Sequence, residues 1–257
     1  MLFWKLEAAC GCHRGRVREN NEDNFYFDGM YMPVNNDGLS EVFHFFHELK
    51  NETTLAVFDG MGGGDYGEIA SFLAAEHMKE VLEIDGKPKN TAEFLRIVCR
   101  GMNQKVYDKQ MELDNYRIGS TVAGIYFMKH DVHVFNLGDS RIYQLRKNKL
   151  EQVSKNHTNE QYLREHGIIG RKPRLLQHLG MNPEEIQLEP YIVKIRFQKG
   201  DRYLLCSDGL TDMVSDDKIA QILLENRSIK EQTEILMQMA LERGGKDNIT
   251  VILCQIH

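Results

Sequence analysis

Thr53-Thr54-Leu55-Ala56-Val57-Phe58-Asp59-Gly60-Met61-Gly62-Gly63 decides how this chain is read. Four consecutive apolar residues break off at an acid flanked by glycine, which fits a buried strand over 53–59 better than a helix. The same ending recurs at Leu137-Gly138-Asp139-Ser140, at Cys206-Ser207-Asp208-Gly209 and at Lys246-Asp247-Asn248, and Asn21-Glu22-Asp23-Asn24 stands just before another strand. One Asp-Gly after a strand is an ordinary turn. Five such points suggest strand ends that converge, where carboxylates repel one another unless cations lie between them. Oxygen-only donors select hard ions such as Mg²⁺ and Mn²⁺, and the lack of a His/Cys ligand set argues against zinc. Two such ions close together can generate a hydroxide nucleophile and neutralise phosphoryl oxygens. Glycines beside the acids permit turns and close backbone approach.

Outward from that strand, apolar alternation predicts a first strand near residues 2–8 and a second at 25–28. Residues 29–52 read as an insertion loop with a turn at Asn35-Asn36-Asp37-Gly38 and a short amphipathic helix from Glu41 to Leu49. Ile69, Leu73, Ala74, His77, Met78, Val81 and Leu82 recur at helical spacing, with Asp65 and Glu68 in the form of a capping box. A second helix carries Phe94, Leu95, Val98, Met102 and Val106. Strands are expected at 120–128, 132–137, 141–145, 191–197, 202–206 and 248–255, and helices near 216–225 and 229–243. Residues 154–190 are polar, with a helical piece at 160–166, and have the character of a flap. Without a repeat or linker, residues 1–257 are expected to form one α+β domain.

The 257 residues, 42% of them hydrophobic and 27% charged, suffice for a large core. A net charge of −6 argues against nucleic-acid or anionic-membrane binding by a general basic field. Five scattered cysteines without a CxxC pair suit reduced thiols, no run reaches the roughly 20 apolar residues of a bilayer span, and the first residues do not read as a signal peptide. A cytoplasmic monomer is the expectation.

The ordered motifs resemble the bacterial branch of the protein phosphatase 2C family, the metal-dependent Ser/Thr phosphatases. They are Gly-Arg-Val-Arg-Glu-Asn-Asn-Glu-Asp-Asn (15–24), Val-Phe-Asp-Gly-Met-Gly-Gly (57–63), Gly-Ser-Thr (119–121), Asn-Leu-Gly-Asp-Ser-Arg (136–141), Ser-Asp-Gly-Leu-Thr-Asp (207–212) and Lys-Asp-Asn-Ile-Thr-Val (246–251). The resemblance implies a four-layer α-β-β-α sandwich, two antiparallel sheets flanked by helix pairs, with a dinuclear site of two Mn²⁺ or Mg²⁺ ions at one end. It implies that Asp59 bridges both metals, that the Gly60 carbonyl binds one, and that Asp208 and Asp247 complete one shell. Glu22 would act through water, and Asp139 with Asp208 would hold a third, weaker ion. Arg18 would clamp the substrate phosphate, which suits a guanidinium fork. Metal-activated water would then hydrolyse phosphoserine and phosphothreonine in proteins, opposing a Ser/Thr kinase. Met61 stands where many eukaryotic members have histidine, and His13 where bacterial relatives often have aspartate.

Other patterns compete. Cys10 to Arg16 and Cys12 to Arg18 both match Cys-x5-Arg, the spacing of cysteine-dependent phosphatases, without their neighbouring histidine and hydroxyl. His44 and His47 would share a face of the insertion helix. His157, Arg141 and Asp212 are weaker candidates. A catalytically silent phosphatase-like binder is the alternative class, whose expected loss of carboxylates this chain does not show. A two-metal nuclease fits the acidic balance poorly. No GxxxxGK[ST] or GxGxxG loop is present.

Overall fold

The computed structural model describes residues 4–49, 52–62, 66–84, 88–113 and 117–257. In chain order the strands and helices are β1 (Lys5–His13), β2 (Asp23–Phe27), β3 (Phe43–Glu48), β4 (Thr53–Gly62), α1 (Gly67–Leu82), α2 (Thr91–Glu112), β5 (Ile118–Ser120), β6 (Val122–Met128), β7 (Asp131–Leu137), β8 (Arg141–Arg146) and β9 (Lys149–Gln152). They continue with α3 (Glu160–Glu165), β10 (Tyr191–Arg196), β11 (Arg202–Cys206), α4 (Asp208–Thr211), α5 (Asp216–Leu224), α6 (Ile229–Glu242) and β12 (Ile249–Ile256).

Two antiparallel sheets result. One has the order β3-β1-β12-β11-β8-β9 and the other β10-β7-β6-β4-β2, with β5 paired to the end of β4. Side-chain alternation sorts the layers. On β4, Leu55 and Val57 point into the core between the sheets with Leu6, Ala8, Phe25, Ile125, Leu205 and Ile252. Ala56 and Phe58 point the other way, against Ala70, Ala74 and Met78 of α1 and Phe94, Val98 and Met102 of α2. On the opposite outer face, Leu204, Val251 and Leu253 pack on Ile219 and Ile222 of α5 and Leu236 of α6. The expected α-β-β-α sandwich is therefore the observed one.

Some details differ from expectation. The segment read as a helix over 41–49 is strand β3, paired antiparallel to β1 from Lys5↔Glu48 to Cys10↔Phe43. Phe43, Phe45 and His47 alternate with His44 and Phe46. Aromatics on alternate positions favour a half-buried sheet edge, and pairing with β1 decides against the helix. The strand expected over 120–128 is interrupted at Thr121, whose N–H donates to the Asp59 carbonyl at 2.8 Å. Strand β9 and the one-turn helix α4 have no counterpart in the sequence reading. Asp65, one half of the expected capping box, lies outside the described residues, and α1 begins after Tyr66 in a left-handed conformation (φ 81°).

Gly124 sits opposite Phe135 in the β6–β7 ladder. A β-carbon there would overlap the Phe135 ring, whose Cε atoms would stand 2.7 Å away. Gly124→Ala is expected to destabilise the protein by about 1–3 kcal/mol, as overpacking does. Urea unfolding followed by circular dichroism measures this, and an unchanged midpoint would contradict it.

Candidate active site

Antiparallel pairing brings the C-terminal ends of β1, β4, β7 and β11 to the same end of the sandwich as the N-terminal ends of β2, β6, β8 and β12. Every acid singled out in the sequence lies there. Asp59 is on β4 and faces Asp23 across the β2–β4 ladder. Asp139 occupies the turn between β7 and β8, Asp208 follows β11, and Asp247 precedes β12.

Asn248 ties the loop after β1 to this end. Its Oδ1 accepts the Glu22 N–H at 2.8 Å, and its Nδ2 donates to the carbonyls of Arg14 and Asn20 at 2.7 and 2.9 Å. That loop delivers Arg18, whose Nη2 donates to Asp247 Oδ2 at 2.8 Å and whose Nη1 lies 3.6 Å from Glu22 Oε2. Thr121 Oγ1 accepts the Asp59 N–H at 3.1 Å and bonds to Ser140 Oγ at 2.7 Å, joining β4 to the Asp139 turn.

Two glycines let the backbones close around the acids. A β-carbon at Gly60 would collide with the carbonyl oxygens of Gly67 and Glu22, and one at Gly209 with that of Asn248. Chain packing therefore requires the glycines after Asp59 and Asp208.

The electrostatics follow from crowding. Burial pushes the Asp59 carboxyl well above its usual pKa, reinforced by Asp23, Asp208, Asp139 and Asp247. Asp23, only 2% exposed, is raised to about 7 by burial, although the hydroxyls of Ser207 and Thr250 donate to its Oδ2 at 2.7 and 2.8 Å. Asp139 is raised to about 6, chiefly by burial and then by Asp208. Burial likewise raises Glu22, opposed by Arg18.

Two residues missing from the sequence reading belong here. Asp23 lay inside a quoted motif without a role, and its cue was the direct strand register with Asp59. Lys172, from the 154–190 segment, donates to Asp208 Oδ2 at 2.8 Å and to Asp212 Oδ2 at 3.2 Å. No spacing rule singles out this lysine among its neighbours.

Among the described residues, no three carboxylate, imidazole or thiolate side chains already form a closed metal-ligand set. Asp208 and Asp247 instead hold Lys172 and Arg18. The donor chemistry nevertheless fits hard divalent ions: five aspartates supplying only oxygen face two cationic side chains, and an excess of negative charge is left.

The competing candidates separate from the cluster. Cys10 and Cys12 are buried, and burial raises both thiols, Cys12 to about 12, the reverse of an activated nucleophile. His44 bonds Glu7 at 3.0 Å while His47 stacks on Phe45, so the two histidines occupy opposite faces of β3. Arg141 donates to the Tyr143 hydroxyl at 3.0 Å and does not face the acids. His157 lines a groove with Arg96 and Tyr191. His13 Nδ1 accepts the Gly15 N–H at 2.8 Å and so serves the turn after β1.

A four-layer sandwich with five aspartates and one guanidinium gathered at a single end is a donor set suited to phosphoester chemistry with hard divalent ions. The family model described as protein phosphatase 2C matches residues 35–244. The chain belongs to the protein phosphatase 2C family. It is 32% identical to the serine/threonine phosphatase stp of Listeria welshimeri, covering 97% of this chain and 96% of the relative. It is 31% identical to the serine/threonine protein phosphatase PstP of Mycobacterium tuberculosis, covering 98% of this chain and 45% of the longer protein. The crystal structure of the catalytic domain of PstP in complex with two manganese ions superposes with a TM-score of 0.79 at 30% identity, covering 98% of this chain and 99% of that one.

Raised carboxyl pKa values make the folded chain in EDTA hold protons that the unfolded chain has released. Stability from Asp23 and Asp139 is fully present below about pH 4, the usual aspartate range. It is lost as pH rises through their folded values of about 7 and 6. The melting temperature in EDTA should therefore fall between pH 5 and pH 8, and Asp23→Asn should flatten the fall. A melting temperature that rises over this interval would contradict the assignment.

Proposed function

We propose that residues 1–257 act as a single catalytic domain that hydrolyses phosphoserine and phosphothreonine in proteins, using two Mn²⁺ or Mg²⁺ ions. The observation that carries this reading is the convergence of Asp23, Asp59, Asp139, Asp208 and Asp247 beside Arg18. Asp59 would contact both ions, with the Gly60 carbonyl on one and Asp208 and Asp247 on the other. Glu22 would hold a water ligand, and Asp139 with Asp208 a third, weaker ion. Bound there, the ions supply Lewis acidity and lower the pKa of the attacking water.

The chain's own residues do the rest. Arg18 is half-exposed, and its Nη1 and Nη2, which lie against Glu22 and Asp247, are the two donors that would turn to take two phosphate oxygens. Glu22 is fixed at its N–H by Asn248 and at its carboxylate by the Gly67 N–H, so a water that it accepts would be held in a defined place. Met61 carries no transferable proton, and the leaving serine or threonine oxygen takes its proton from water in the cleft. Lys172 neutralises Asp208 and Asp212 from the 154–190 segment, which we read as a flap over the cleft.

The substrates are phosphorylated proteins, with a Ser/Thr kinase as the opposing activity, and the chain acts as a cytoplasmic monomer. Among the described residues no helix is long and apolar enough to cross a membrane.

With a phosphothreonine peptide and Mn²⁺, Asp59→Asn and Asp208→Asn should each abolish turnover, because neutral amides bind such cations poorly. Full turnover by either folded variant would refute the assignment. EDTA should stop the wild type and iodoacetamide should not, since every cysteine is buried. Arg18→Ala should raise KM by about tenfold or more, with a smaller change in kcat. An unchanged KM would remove Arg18 from the phosphate site.

A further inference from the structure

Beside the aspartate cluster, a separate recess of about 360 Å³ opens between the loop after β1, the turn at 34–37 and the start of α1. Its walls are almost wholly oxygen-bearing and include Glu19, Asn20, Asn21, Asn35 and Glu68. Two oxygens of the lining residues are stranded. Asn21 is 2% exposed, and its buried Oδ1 has no hydrogen-bond partner; nor has the buried Oε2 of Glu68. Stranded acceptors of this kind are rare and carry a desolvation penalty unless something fills the site.

The orientation of the Asn21 amide is fixed by its surroundings. Asn36 Oδ1 accepts the Gly38 N–H at 3.1 Å and Asn36 Nδ2 donates to the Pro33 carbonyl at 2.9 Å, so Asn36 can offer Asn21 only an acceptor. Asn21 must therefore present Nδ2 to it, at 2.7 Å, and that leaves Oδ1 as the unpaired atom. At the rim, Arg14 is already committed to Asp37 Oδ1 at 2.8 Å. Glu19 and Glu68 thus remain as two carboxylates, which balance a divalent charge.

We propose that this recess is a second cation site that takes one Ca²⁺, held by Asn21 Oδ1, Glu68 and Glu19, with water completing the shell. Carboxylate and amide oxygens from three chain segments, with no imidazole or thiolate, suit a hard ion that accepts six to eight irregular ligands better than the octahedral demand of Mg²⁺. The recess is large enough to hold the ion with several waters. It would pin the turn at 34–37 to α1, and through Asn21 and the Gly67–Glu68 step it touches both neighbours of Glu22. Calcium binding would therefore bear on the cleft without entering it.

The test uses the full chain carrying Asp59→Asn and Asp208→Asn, which removes two carboxylates of the cluster. Equilibrium dialysis against radiolabelled Ca²⁺ in excess Mg²⁺ should find one bound equivalent, and Ca²⁺ should raise the melting temperature. Adding Glu68→Gln, or the exposed Glu19→Gln, should weaken binding by about tenfold or more, because ligand charge sets affinity in such sites. Absence of bound Ca²⁺ in the folded double variant, or affinity unchanged by both added substitutions, would overturn the proposal. Ca²⁺ binding in the double variant together with no Mn²⁺-dependent turnover of a phosphothreonine peptide by the wild-type chain would refute the proposed function and leave this site standing.

Discussion

Asp23 and Asp59 stand opposite one another in the β2–β4 ladder, so neither backbone can withdraw without breaking hydrogen bonds that also align Phe25 and Val57 in the core. Asp139, Asp208 and Asp247 are likewise held beside the ends of β7, β11 and β12, whose residues are buried alternately between the sheets and against the outer helices. Like charges a few ångströms apart repel by several kcal/mol at the effective dielectric of a protein surface. Strand register overrides that repulsion and holds the carboxylates together. The raised pKa of Asp59 expresses first its burial and then the repulsion of the acids that the scaffold gathers around it.

Such a cluster is usable only if its members cannot swing away, and the polar groups around it limit that freedom. Ser207 Oγ donates to Asp23 and accepts the Thr250 N–H at 3.0 Å, so a single hydroxyl couples the two sheets beneath the acids. Thr121 links the Asp59 backbone to Ser140 in the neighbouring turn. Asn248 bonds three points of the loop that carries Arg18 and Glu22. Each of these groups is almost fully buried, where a satisfied hydrogen bond resists rearrangement most strongly. Placement of the side chains thus depends on buried amides and hydroxyls as much as on the strands.

The layered fold and the principal acids could be read from sequence because both follow local rules. Apolar runs such as Leu55–Phe58 commit a segment to a two-sided strand, and an Asp-Gly pair after such a run marks its end. Three features escaped those rules. The aromatic run at 43–47 looks amphipathic at helical spacing, and only the exposed edge of β1 makes it a strand. Asp23 reads as one more acid in a polar run until its partner strand is known. Lys172 reaches Asp208 across 36 residues, a relation set by how the 154–190 segment folds back. All three depend on tertiary neighbours, which a single sequence does not specify.

The segment between β2 and β4 joins the sheet without disturbing the strands that carry the acids. By joining the sheet at its edge, β3 leaves the register of β1 with β12 intact, and every strand bearing a cluster acid keeps its position. The entry to β3 is fastened to the end of β1, with the Leu39 N–H on the Cys12 carbonyl at 2.8 Å and the Arg14 N–H on the Asp37 carbonyl at 3.3 Å. This anchoring sets Asn35 and Asn36 over Asn21, one residue before Glu22. An edge strand is the least constrained place to add residues to a sheet, yet here its leading turn comes to rest at the rim of the most constrained part of the molecule. Groups on that turn can therefore affect Glu22 through Asn21 while the aspartates stay fixed by their own strands.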